Sequence, residues 1–207
     1  CVTDTSVQQI KRSASLLQSY LKKIGGASIP IKIGLTHIPA KAIVIKTDES
    51  FNRDGFSLIT ANKQLMITGG VNKGCIYGVI DLLERQLGCR MYAPGFEKIP
   101  QKTKISLPAM DIKDQPVNEY RNVYGRLTDD EEYRDWQRLD IVQDIFAEGY
   151  YVHTMSRLVP PTSYFKQHPE YFAWMNGRRN ADQPCLSNPE VLKITLNRLE
   201  TDMASQP

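Results

Sequence analysis

"ITGGVNKGCIYGVIDLLERQLGCRMYAPG", Ile67 to Gly95, opens as a strand, crosses a glycine pair and turns into a helix with an apolar stripe. Its reading turns on whether Gly69, Gly70, Gly74 and Gly78 cradle a phosphate or let a helix approach a sheet. A Walker-type loop ends Gly-Lys-Ser/Thr, so that the lysine meets phosphates and the hydroxyl meets magnesium; here the order is Lys73-Gly74-Cys75. The glycines also miss the G-x-G-x-x-G spacing, and no acidic residue closes a following strand about twenty residues on. What remains is a structural role: a tight turn at Gly69-Gly70 and close contact of helix with sheet at Gly74 and Gly78. Ile76, Val79, Ile80, Leu83 and Leu87 then bury one helix face, and Gly88 follows where a left-handed C-terminal residue is wanted.

On the N-terminal side, Ser6 to Ile24 place Val7, Ile10, Leu17, Leu21 and Ile24 at helical steps. Asp4, Thr5 or Ser6 is available as cap, and Gly25-Gly26 ends the helix. The runs "IPIKIG", "AIVIK", "FSLITA" and "QLMITG" read as strands, the last two as a hairpin. After the glycine-rich helix, "KISLPAMDI" reads as a closing strand. A sheet with two helices makes residues 1–116 an α+β domain. Beyond it, "NEYRNVYG" reads as a strand, "TDDEEYRDW" opens a helix running to about Glu148, and "YYVHT" reads as a second strand. That order suggests a parallel βαβ unit. "YFAWMNGRR" carries an Asn-Gly hairpin turn, and "SNPEVLKITLNRLETDM" is a helix with Asn188 as cap and Pro189 in its first turn.

Composition bounds the function. The 26 basic and 23 acidic side chains leave a net charge of +3 and are interspersed, so no nucleic-acid footprint stands out. The chain has no apolar run long enough to span a bilayer. Cys75, Cys89 and Cys185 form no CxxC pair, which speaks against a thiolate metal site, and no cofactor motif is present. Cys1 is either the residue exposed by cleavage of a lipoprotein signal, with "VTDTS" as tether, or an incidental terminus.

Several side chains are candidates for chemistry. The acidic run Asp129, Asp130, Glu131, Glu132 has the composition of a glycosidase carboxylate pair, but at a helix start its plain work is to cap amides and favour the dipole. His153 falls at the C-terminal end of the expected second strand, the edge where α/β enzymes place ligands; a turn or core histidine is the alternative. His168 lies among aromatics and prolines with Trp174, and His37 sits alone in a loop. Arg121, in a β-rich stretch, needs an anion: a sugar hydroxyl or carboxylate, or a structural acid.

Residues 1–116, above all "DGFSLIT", "LMITGGVNKGCIYGVIDLLERQLGCRMYAPG" and "EKIP", resemble the accessory α+β domain that precedes the barrel in bacterial β-hexosaminidases and α-glucuronidases. From Tyr120 on, "YRNVYG", "HTMSRLVPP", "YFKQHPEYFAWMNGRR" and "QPCLSNPEV" are similar to a family of exported proteins from polysaccharide-degrading bacteria. In that family the accessory domain joins a glycosidase-like (β/α)8 barrel, and many members look like lipoproteins. The resemblance implies that residues 117–207 are the start of such a barrel, truncated. It further implies a carbohydrate partner met by Arg121, His153, His168 and Trp174, and export to the periplasm or outer membrane with Cys1 lipidated as the sole membrane attachment. The hexosaminidase barrel opens with arginine, glycine and soon an aspartate, whereas Arg121 is followed by Asn122 and Val123. The roughly 90 residues after Pro116 suffice for about two βα units of a barrel that takes roughly 250, so the acid/base carboxylates are expected on later strands and this chain by itself is expected to be inactive. A non-catalytic carbohydrate-binding or scaffolding module is the alternative.

Overall fold

The β-rich runs between Ala42 and Gly69 assemble as expected around one antiparallel hairpin. In the computed structural model, which describes residues 4–205 apart from 27, 35, 36, 52, 142–145 and 148, strands β2 (Phe56–Ala61) and β3 (Gln64–Gly69) pair across a two-residue turn. Asn62 and Lys63 both take positive φ there, 51° and 64°, the handedness that matches the strand twist. β1 (Ile43–Thr47) adds in parallel to β3. A late edge strand, Asp111–Asp114, adds antiparallel to β2.

Helix α1 (Asp4–Gly25) ends at Gly26 with φ 75°, and helix α2 (Gly74–Asp81) continues through a π-helical turn, Leu82–Gln86, to Gly88 with φ 82°. Their apolar stripes bury Leu17, Leu21, Ile24, Val79, Ile80 and Leu83 with Leu58 and Ile67 of the sheet. Strands β4 (Arg90–Ala93) and β5 (Phe96–Lys98) form a separate hairpin, and the edge strand at Asp111 is β6. Among the described residues no helix is long and apolar enough to cross a membrane.

Three expected strands are not formed. Ile29–Ile33 alternates correctly but joins no sheet; the Ile29 carbonyl instead accepts from Gln18 Nε2 at 2.6 Å. Around Arg121 the backbone is irregular because its N–H donates to the Asp140 carboxylate at 2.9 Å and its carbonyl accepts from Asp140 N at 2.6 Å. Over Tyr150–Thr154, Gly149 and His153 take φ of 81° and 55°, which breaks an extended run. Helix α3 is also shorter than expected, Glu131–Trp136, stopped before Arg138 with φ 58°. The strand, helix and strand expected over 117–154 are therefore not seen among the described residues.

The chain divides into two compact units, Cys1–Asp140 and Ile141–Pro207, so residues 117–140 fold with the sheet domain. Trp136 is the anchor: it is buried against Tyr20, ring centroids 5.1 Å apart, and its Nε1 donates to Glu84 at 2.8 Å. The second unit holds two single-turn helices, α4 (Met155–Leu158) and α5 (Pro161–Tyr164), then the hairpin of β7 (Phe172–Met175) and β8 (Arg178–Pro184). Its turn is the Asn176-Gly177 pair the sequence signals, φ 52° and 75°. Helix α6 (Pro189–Ser205) follows, with Asn188 Oδ1 accepting from Glu190 N at 2.9 Å. Leu158, Val159, Phe172 and Val191 make the small core of this unit.

Candidate functional site

The glycine loop is filled by the protein itself. Asp54 Oδ1 accepts from Asn72 Nδ2 at 2.9 Å and from Lys73 N at 3.2 Å, placing a carboxylate at the N-terminus of α2 where a phosphate would bind. Lys73 Nζ turns away to the Leu139 carbonyl at 3.1 Å, with Asp140 at 3.7 Å and Asp135 at 4.0 Å. The glycines do what their spacing suggested. A Cβ on Gly74 would lie 2.3 Å from the Gly55 carbonyl oxygen, and one on Gly78 would lie 2.9 Å from Ile67 Cγ2. Helix and sheet backbones therefore meet at these positions.

Arg121 belongs to the same network. Its guanidinium donates to Asp54 Oδ2 at 2.6 Å, the Asn118 carbonyl at 2.7 Å, the Arg138 carbonyl at 2.8 Å and Asp140 Oδ1 at 3.4 Å, and it lies over the Tyr77 ring at 5.9 Å. Burial pushes the Tyr77 phenol up. A cavity of about 150 Å³ opens beside Arg121 and Asp54, lined also by Arg53, Pro116, Asn118 and Glu119. Behind it, Asp135 is paired with Arg12, whose other arm holds Glu131 at 2.7 Å. Burial raises the Asp135 carboxyl above its ordinary value. The acidic run does the capping work expected of it: Asp130 Oδ1 accepts from Tyr133 N at 2.7 Å.

The other sequence candidates lie in the second unit and do not form one cluster. His153 is exposed in the turn before α4, its carbonyl accepting from Ser156 at 3.3 Å. His168 stacks on Tyr171, centroids 4.6 Å apart and planes within 8°, while its Nδ1 meets Glu170 at 3.0 Å. Glu170 is held below the ordinary glutamate value by its own backbone N–H and by His168. Trp174, 64% exposed on β7, faces Arg179 of β8, whose guanidinium lies 5.4 Å above the indole and is fixed by a bond to the Phe172 carbonyl at 2.8 Å. His37 is exposed, and Cys1 lies outside the described residues. Cys75 and Cys89 are free thiols pushed up to about 11 by burial, and Cys185 is free as well. The described residues hold no group of three or more His, Cys, Asp or Glu placed to share a metal ion. Sequence reasoning did not find the partners of Arg121; among them, Asp54 in the "NRDG" turn carried no signal beyond turn chemistry.

The molecule is thus a mixed α+β protein: a four-stranded sheet covered by two helices, followed by a small unit built on an aromatic hairpin. Residues 91–207, more than half of the chain, match the model of a domain of unknown function, DUF4838, and the chain belongs to that family. No curated protein matches it.

Proposed function

We propose that this chain is part of a glycosidase-like protein that acts on a polysaccharide or glycan. In this reading residues 1–116 are an accessory domain of the β-hexosaminidase and α-glucuronidase kind, and residues 117–207, which among the described residues form no strand before Phe172, lead into a (β/α)8 barrel. The observation that carries it is the Trp174–Arg179 pair. An exposed indole with a guanidinium fixed over it offers a flat apolar surface beside fixed donors, which is how a sugar ring and its hydroxyls are met. His168 stacked on Tyr171 adds a second, half-buried planar group in the same unit.

Hydrolysis needs two carboxylates flanking the glycosidic bond. Asp54, Asp135 and Asp140 are each engaged by Arg121, Arg12 or Lys73, so the reading assigns the acid/base pair to strands beyond those described. It also assigns export, with lipid on Cys1 as tether. The protein expressed from its whole reading frame is expected to cleave at least one substrate in a panel of aryl glycosides and plant or host glycans. If it cleaves none while the 207-residue chain still binds glycan, and Trp174→Ala weakens that binding, the non-catalytic binding module is the correct reading. Absence of both turnover and binding would reject both.

A further inference from the structure

The face of the four-stranded sheet turned away from α1 and α2 carries an organised row of polar side chains. Register places Lys46 of β1 opposite Thr68 of β3, Thr68 opposite Ser57 of β2, and Ser57 opposite Lys113 of β6. Alternation along each strand puts these four on the open face, because Ile45, Ile67, Leu58 and Ile112 point into the core. The row forms the floor of a depression of about 670 Å³, whose wall includes Phe51 and Asp48. That volume falls within the roughly 300–1,000 Å³ of small-molecule sites.

The two central hydroxyls set this surface apart from an ordinary solvated sheet. Ser57 and Thr68 are only 3% and 6% exposed, yet among the described residues neither side chain is hydrogen-bonded to the protein. Neither oxygen is among the fully buried atoms that lack a partner, so solvent in the depression reaches both hydroxyls. Both flanking lysines are exposed, and Lys113 Nζ lies 5.9 Å from the Phe51 ring centre. Asp48 is held below its ordinary value by the hydroxyl and N–H of Ser50, and both lysines push it the same way. The second acid at the rim, Asp114, is paired with Arg85 at 3.4 Å. Two lysines therefore stand at the mouth with Asp48, which no cation among the described residues pairs directly, and Asp114, which shares Arg85 with Asp81.

We infer that this sheet face is a binding site for an acidic sugar residue of a glycan, one bearing a carboxylate or sulfate, with the lysines on its charge, Ser57 and Thr68 on its hydroxyls and Phe51 against its ring. The inference rests on the glycan-handling reading above and locates a second contact surface distinct from the Trp174 hairpin. A single phosphate would leave most of the depression empty, and a neutral sugar would make no use of the two lysines.

Calorimetry on the 207-residue chain tests it, with tetragalacturonate, its methyl ester and a sulfated chondroitin tetrasaccharide as probes. At least one acidic probe is expected to bind, with the ester or the joint Lys46→Ala, Lys113→Ala change weakening affinity about tenfold or more. Thr68→Val, which keeps the shape and removes the hydroxyl, is expected to weaken it severalfold, and Trp174→Ala to leave it unchanged. Which acidic probe binds separates a carboxylate from a sulfate ligand. Equal affinity for the methyl ester and the acid would overturn the acidic-sugar assignment. Binding that survives the lysine changes but is lost in Trp174→Ala would overturn the sheet-face site and leave the glycan-handling reading intact. No binding of either acidic probe would overturn the inference alone, since turnover and neutral-glycan binding decide the broader reading.

Discussion

Arg121 carries a charge into a place where only charged partners make it tolerable. Asp54 and Asp140 are 5% and 3% exposed, and both lean on its guanidinium. Removing one member of a buried pair leaves the other uncompensated, so Arg121→Ala is expected to lower the unfolding free energy by about 3–5 kcal/mol, seen as a fall in the urea midpoint. Arg121→Lys keeps the charge but loses the fork that reaches both acids, and should fall between the two. An unchanged midpoint for Arg121→Ala would show the network to be dispensable. The sequence posed the need for an anion and left sugar and structural acid both open. The acids lie 67 and 19 positions away, beyond the reach of any local pattern. The glycines behaved otherwise: Gly74 and Gly78 were legible as close-contact positions because their spacing sits inside one helix.

At the scale of elements, those closed by local chemistry were the legible ones. The β2–β3 and β7–β8 turns, the Gly26 and Gly88 helix ends and the Asn188 cap depend on residues within a few positions. The runs "IPIKIG" and "YYVHT" have strand composition, but a strand also needs a neighbour with free backbone groups, and composition does not say whether one arrives. The segment after Pro116 shows the same limit in reverse. It reads as the start of a new domain, yet Trp136 fills the core of the first unit. A chain ending at Pro116 is expected to be markedly less stable in thermal melts than one ending at Asp140; equal stability would mean that Trp136 and Arg121 add nothing to the sheet domain. A second element-scale effect concerns pH. Burial works to raise the Glu97 carboxyl of β5, but hydrogen bonds from Lys23 and Tyr20 of α1 prevail and hold it below the ordinary 4.5. A depressed carboxylate contributes stability above its unfolded value and loses it as pH falls through the folded one. The contribution tying β5 to α1 should therefore be full at neutral pH and fade below about 4.5. Urea midpoints for the parent and Lys23→Ala, measured from pH 7 to pH 3, should converge in acid; parallel curves would discount the pair.

For the molecule as a whole, the two units differ in how much apolar surface they bury. The first closes over a continuous core running from Leu17 to Trp136, while the second rests on Leu158, Val159, Phe172 and Val191 with partly buried neighbours. Small cores are marginal, so the second unit is expected to exchange its amide hydrogens faster and to lose structure at lower urea than the first. Uniform protection across both would contradict this. Sequence alone determined the helices ending near Gly25, Gly88 and Ser205, the β2–β3 and β7–β8 turns, the refusal of the nucleotide motifs and the mixed α+β class, because all of these follow from backbone preference and spacing over a few residues. Only the tertiary structure decided that Lys73 and Arg121 spend their charges on Asp54, Asp135 and Asp140, and that Lys46, Thr68, Ser57 and Lys113 line up across four strands. Such contacts join residues far apart in the chain, and they exist only once burial of the apolar faces has brought the elements together.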